Sequence, residues 1–321
     1  MQGFINLHKP KGMTSHDCVG KLRRLLRQKR IGHGGTLDPA ATGVLPVAVG
    51  PATRLLPYLQ EWKSYNATIR FGLVTNTDDL AGDVIEERSP QELRHLTREI
   101  ITEQLSNFTG SISQIPPKYS AIHVQGKRAY DLARQNKPVE IPSREVEILQ
   151  LRILDWRNGD YPELDLAVDC GPGTYIRAIA RDLGAALGTG ATLAALERTR
   201  SCGFVLSESL TFEAIAQQIE AEQFQLEPVF DTLCHLPQIQ LEDELVKRWF
   251  LGQRLPVSPN DILNWDPAAA EELDGEKLGP AIAVSDLHQN CLGVGHLRAN
   301  RDPDASTVIL APKVVLPLPE A

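Results

Sequence analysis

The chain predicts an α+β protein with a small β-rich module toward its C-terminal end. Three observations support this reading. Apolar and polar residues alternate over short runs at residues 65–73, 146–154 and 164–170, the period of half-buried strands. Between them, residues 15–28, 91–108 and 175–187 place apolar side chains at helical spacing. From about residue 225 the helical segments give way to short apolar runs, at 282–284, 293–295 and 308–312, separated by Gly, Pro and Asp. A length of 321 residues with 42% hydrophobic content suits one large domain plus a small one, or two of middling size.

Taken in order, the first helix is capped by Thr14 or Ser15 and runs to about Gln28, with Cys18, Val19, Leu22, Leu25 and Leu26 on one face. Its other face carries Lys21, Arg23, Arg24 and Arg27, followed by Lys29 and Arg30. So many like charges repel one another, and a bound polyanion explains them better than a merely solvated face. Next comes Gly32-His33-Gly34-Gly35-Thr36-Leu37-Asp38-Pro39, whose glycines permit tight turns and close ligand approach. Pro39 keeps Asp38 off helical dihedrals, so its carboxylate is expected on a stiff loop, either as a reactive group or as a turn cap. The apolar run 44–49 reads as a strand that Pro46 places near a sheet edge. Residues 111–145 are rich in Pro, Lys, Arg and Tyr (Lys118, Tyr119, Lys127, Arg128, Tyr130), which suits either a surface insertion or stacking and phosphate contact with RNA. Gly171-Pro172-Gly173 turns the chain into the 175–187 helix, stopped at Gly188, and residues 227–231 read as a linker.

The net charge of −8 is unevenly spread. Residues 1–225 balance 26 basic against 26 acidic side chains, whereas residues 226–321 hold 7 against 15. The first 60 residues hold 9 against 2, a basic front on an acidic protein. The five cysteines are scattered and never in C-x-x-C spacing, which points to a reducing cytoplasm without disulfides or a zinc site. His8 and Lys9 interrupt any signal-peptide core, and no apolar run is long enough for a membrane span. A P-loop would need G-K-[ST] after the glycines, and none stands there.

Four blocks then occur in a telling order: residues 3–15 (GFINLHKPKGMTS), residues 32–46 (GHGGTLDPAATGVLP), Lys63-Ser64-Tyr65, and Gly173-Thr174-Tyr175-Ile176-Arg177. Together they resemble the TruB family of tRNA pseudouridine synthases, over the chain to about residue 205. The resemblance implies a mixed, mainly antiparallel sheet flanked by helices. It implies a catalytic domain over residues 1–225 with an RNA-clamping insertion at about 111–145, and a small PUA-like RNA-binding module over 226–321. The expected activity is isomerisation of uridine 55 in the T loop of tRNA, by a cytoplasmic monomer without metal or organic cofactor.

Residue by residue, the resemblance assigns Asp38 as the essential aspartate and Arg177 as its partner, a bidentate guanidinium holding the carboxylate ionised. Without it, Arg177 reads as a surface arginine misplaced in the first turn of a helix. Tyr65 matches the tyrosine that stacks on the target base and is assigned a catalytic part as a late proton acceptor, though a strand tyrosine is also ordinary core. His33 matches the histidine beside the flipped base, and Tyr175 and Leu196 match the uracil-pocket lining. Lys9 is expected to support the active-site loop. RNA contacts are expected from Lys9, Lys21, Arg23, Arg24 and Arg27. An RNA-binding or RNA-folding protein without catalysis would show the same basic surface, and a synthase acting on another RNA the same blocks.

Overall fold

The computed structural model describes residues 1–120, 122–124, 127–128, 141–273, 278–300, 302 and 306–317. The chain begins with β1 (Gly3–Lys9), α1 (Ser15–Leu25), β2 (Ile31–His33), β3 (Thr42–Val49) and β4 (Lys63–Phe71). A hairpin of β5 (Leu73–Thr75) and β6 (Val84–Glu87) leads to α2 (Pro90–Leu93), α3 (Arg98–Leu105) and β7 (Gly110–Gln114). The short pair β8 (His123–Val124) and β9 (Lys127–Arg128) precedes β10 (Arg144–Arg157), β11 (Glu163–Cys170), α4 (Ile176–Ala186), β12 (Ala191–Ser201) and β13 (Phe204–Val205). Nine of these strands form one sheet in the order β1-β3-β12-β4-β11-β10-β7, with β2 on β3 and β13 on β12. Every pairing is antiparallel except β12 with β3.

The strand alternation is realised at the centre of this sheet. In β4, Tyr65, Ala67, Ile69 and Phe71 are buried, facing Leu164, Leu166, Val168 and Cys170 of β11 in one core with Ile176, Ile179 and Leu183 of α4. The opposite face of the same pair is a polar ladder. Ser64, Thr68 and Arg70 stand opposite Asp169, Asp165 and Glu163 and bond to them, Arg70 at 2.7 Å.

Four local expectations need correction. The first helix ends at Leu25 rather than Gln28, capped by a Thr14–Asp17 capping box, and Arg27 follows with a φ of 51°. The 91–108 segment is two helices, because the Thr97 side chain accepts from the Ile100 N–H and starts α3 afresh. Strand β3 is not at an edge: β1 pairs along its whole length on one side. On the other side β12 takes Thr42 and Gly43, and β2 takes Val47 to Val49. Pro46 sits in the gap between those two neighbours, so its missing N–H breaks no ladder. Finally, residues 227–231 are not a free linker, since Glu227 and Phe4 exchange backbone hydrogen bonds of 2.8 and 3.1 Å.

After β13, α5 (Phe212–Glu220) precedes a second sheet built from β14 (Gln238–Leu241), β15 (Leu255–Val257), β16 (Ala281–Asp286), β17 (Cys291–Arg298) and β18 (Val308–Val315). Its order is β14-β16-β17-β18-β15, and α6 (Asp243–Phe250) buries Trp249 against it. Of the 111–145 segment, residues 121, 125–126 and 129–140, Tyr130 among them, lie outside the described residues. Only the backbone is described at Lys127 and Arg128.

Candidate active site

The loop that joins β2 to β3 is anchored from three directions. Ser15, released from capping duty, accepts the Leu37 N–H at 2.8 Å and donates to the Leu37 carbonyl at 3.2 Å, tying the loop to the start of α1. Lys9 is fully buried, and its Nζ donates to the carbonyls of Ala41, Pro10 and Pro39 at 2.6, 3.0 and 3.4 Å. Arg198 is also fully buried, and donates through Nε to Val44 O at 2.8 Å, Nη2 to Gly35 O at 3.1 Å and Nη1 to Thr36 O at 3.4 Å. Burial pulls the pKa of Lys9 down from the ordinary lysine value. Its place inside the fold corrects its expected role as an RNA contact: every donor it has is spent on backbone.

Arg198 reaches the loop because β12 runs beside β3 for two residues only, Glu197 and Arg198 opposite Thr42 and Gly43. Gly43 has a φ of 99°, and a Cβ there would strike the Arg198 backbone, so this crossing requires glycine. Register shifts between Leu193 and Ala195 and between Arg198 and Arg200 bracket the stretch that carries Leu196 and Arg198.

Held this way, Asp38 projects into a cavity of about 860 Å³ that is also lined by His33, Lys63, Tyr65, Tyr119, Tyr175, Arg177, Leu196 and Arg198. Arg177 Nη2 lies 3.0 Å from Asp38 Oδ2. The same guanidinium donates to Thr77 O and Tyr119 O, each at 3.0 Å, and Nη1 lies 3.6 Å from Asp79 Oδ2. Arg177 is thus a buried residue, 5% exposed, rather than a surface arginine. It meets Asp38 through one nitrogen, which corrects the expected bidentate pairing, because its other donors hold the 77–79 turn and the 119 backbone. Gln114 fixes the start of α4: it accepts the Tyr175 N–H at 2.8 Å and donates to the Tyr175 carbonyl at 3.1 Å. The Arg144 guanidinium lies 5.2 Å from the Tyr175 ring centroid.

The electrostatics follow from crowding. Asp38 keeps 41% of its side-chain surface open, but into the cavity, and burial raises its carboxyl pKa above the ordinary value. Arg177 opposes that rise and Asp79 adds to it. Arg177 thus acts in the expected direction, favouring the ionised carboxylate, while burial acts against it. His33 is pushed toward the neutral form by burial and by Arg198, and its Nδ1 accepts the Gly35 N–H at 3.4 Å, which places the imidazole proton on Nε2. Tyr65 is 7% exposed, belongs to the central core and also faces the cavity, and burial raises its phenol pKa.

The cavity therefore gathers all six residues assigned to chemistry or to the base: His33, Asp38, Tyr65, Tyr175, Arg177 and Leu196. The first turn of α1, with Ser15 and His16, also lines it, but the helix's basic side chains do not. Lys21 lies 4.0 Å from Glu213 and 4.1 Å from the Phe212 ring centre, so the fold supplies an anionic neighbour absent from the local sequence. Arg23 donates to Ile31 O at 3.0 Å, while Arg24 and Arg27 stay exposed. Sequence reasoning missed Arg198, Asp79 and Gln114. Of these, only Arg198 left a signal, lying two residues beyond Leu196 on a strand and so sharing its face.

Comparison with known proteins adds the following. Residues 23–176 match the family model described as TruB family pseudouridylate synthase (N terminal domain). The tRNA pseudouridine synthase B of Acaryochloris marina is 51% identical over 321 residues, covering 99% of both chains. That of Synechocystis sp. is 52% identical over 319 residues, covering 98% of this chain and 100% of the relative. Among solved structures, the crystal structure of a Cbf5-Nop10-Gar1 complex holds a chain with a TM-score of 0.70 and 26% identity, covering 98% of this chain and 84% of that one.

Proposed function

Because the chain belongs to the TruB family of pseudouridylate synthases, we propose that its cavity receives uridine 55 from the T loop of tRNA and that Asp38 carries the chemistry. The protein is an enzyme that isomerises uridine in tRNA to pseudouridine. The reaction balances within the nucleoside: the N1–C1′ bond breaks, the C5–C1′ bond forms, N1 gains a proton and C5 releases one. A single carboxylate can serve it, by attack on C1′ or by removing the C2′ proton. Arg177 aims the carboxylate and opposes its neutralisation. Tyr65 stacks on the base, Tyr175 and Leu196 line its pocket, and neutral His33 stands beside it. The chain acts as a cytoplasmic monomer, with residues 1–225 as the catalytic domain and 226–321 as a PUA-like RNA-binding module. The insertion at about 111–145 closes on the T arm.

The observation that carries this reading is the lone Asp38 carboxylate, braced on a rigid loop 3.0 Å from a buried arginine at the cavity wall. Tritium release from tRNA labelled at uridine C5, with mapping of the product, tests it. One pseudouridine at position 55 is expected, and none with Asp38→Asn. Product at another position, or an active Asp38→Asn enzyme, overturns the reading.

A further inference from the structure

Among the cations that line the cavity, Lys63 stands apart. Arg177 faces two carboxylates and Arg198 three carbonyls, whereas the Lys63 ammonium donates only to the Glu61 carbonyl, at 2.8 Å. Among the described residues no carboxylate oxygen lies within 4.0 Å of it. The side chain is nonetheless half-buried, packed near Gly35 at the foot of the Asp38 loop, and burial lowers its pKa below the ordinary lysine value. A half-buried cation with one protein acceptor among the described residues for its three donors is open to an incoming counter-charge at the cavity wall.

Position suggests the counter-charge. Lys63 opens β4 and shares a face with Tyr65, two residues on, so their Cα atoms stand about 6.6 Å apart along the strand. That is on the order of the reach from a nucleobase to its own phosphodiester. Resting on the reading of Tyr65 as the base-stacking residue, we propose that Lys63 binds one of the two phosphates flanking the target uridine. RNA carries no other anion, and an ammonium at the cavity wall suits a phosphate as a point charge. Lys63 thus reads the backbone while Tyr65 reads the base, and a nucleotide turned out of its stack brings a phosphate to the ammonium.

The test is binding of T-arm hairpins across a salt series, with a neutral methylphosphonate at either flanking phosphate, by wild type, Lys63→Met and Lys63→Arg. Lys63→Met weakens binding by roughly five- to tenfold and lowers the log–log salt slope by about 1 or less. The loss falls on KM more than on kcat, and Lys63→Arg restores most of it, which excludes a folding defect. One methylphosphonate costs the wild type the same factor and costs Lys63→Met nothing further. The proposal is overturned if Lys63→Met keeps wild-type affinity and slope, if both neutralised phosphates penalise it as fully as wild type, or if its loss is confined to kcat. Tritium release by the wild type on the unmodified hairpin is the separate check on function; its failure would leave the binding cycle readable.

Discussion

Two neighbouring regions, the Asp38 loop and the outer face of α1, both depend on cations, and they place them in opposite environments. At the loop, Lys9 and Arg198 are fully buried and their donors meet six backbone carbonyls between them. On and just after α1, Arg24 and Arg27 remain exposed, and neither makes an ion pair among the described residues. Burying a cation costs several kcal/mol unless its donors are satisfied, so the inner pair is tolerable only if the loop keeps one geometry. An exposed arginine imposes no such demand and stays available to a phosphate. Basic residues of one protein can therefore have different roles. Some hold the Asp38 carboxylate still, and others are left free to meet a polyanion.

The largest expected effect lies at the group that the inner cations position. Asp38→Asn should lower the single-turnover rate by on the order of 10⁴-fold or more while tRNA affinity stays within a few-fold. The same variant reports on the carboxylate's burial. Its folded pKa is raised above the unfolded value, so ionised Asp38 weakens the fold, and that weakening grows as pH rises from the ordinary carboxylate range through the raised value. Thermal unfolding should show Asp38→Asn at least as stable as wild type near neutrality, with the difference gone in acid. A variant less stable at neutral pH would show that Arg177 outweighs burial.

Next comes the brace. Arg198→Met strips donors from three carbonyls, and we expect a loss of about 3–5 kcal/mol in chemical denaturation. Any folded enzyme should lose roughly 10²-fold in rate through a misplaced carboxylate. Wild-type rate in a folded Arg198→Met protein would break the contrast between the two regions. A smaller effect is expected from Arg177→Gln on the pH profile. The ionised carboxylate is the active form on either route, so the rate rises with pH through the Asp38 pKa. Removing the guanidinium removes the influence that opposes burial, and the acid limb should move to higher pH. The smallest effects belong to the helix: Arg24→Ala and Arg27→Ala should each weaken tRNA binding a few-fold and lower the salt slope by about 1 or less, without altering the modified base. If both keep wild-type affinity and slope, the outer face of α1 is simply solvated.

How much of this was legible in the sequence depended on distance along the chain. Alternation over residues 65–71 and 164–170 is local, and those strands form with that facing. The contiguous glycines, proline and strand placed Asp38 on a stiff loop, but the choice between a reactive group and a turn cap came from the four blocks together. The Arg198 brace was hidden, because it arises where two strands meet for a pair of residues, and Arg198 stands 154 positions from the Val44 carbonyl it holds. Asp79 was hidden for the same reason, brought to Arg177 by a turn from a different hairpin. Lys9 was expected both to support the loop and to touch RNA; its bonds to the loop carbonyls suit the first role, and its burial takes it off the surface the second needs. The break at Thr97 shows a capping threonine prevailing over an unbroken apolar stripe.

One apolar cluster joins Phe4, Val44, Ala48 and Leu55 of the first sheet's side to Ala283, Val294, Val314 and Leu316 of the second. The two sheets are therefore packed against each other through a shared apolar seam, not merely joined by a linker. A fragment stopped after residue 225 would carry a bare greasy flank into water, and a lineage that discarded the acidic end would first have to re-surface Phe4 and its neighbours. The Asp38 cavity is lined from the first sheet's side alone, yet the surface that supports that side is shared with the second.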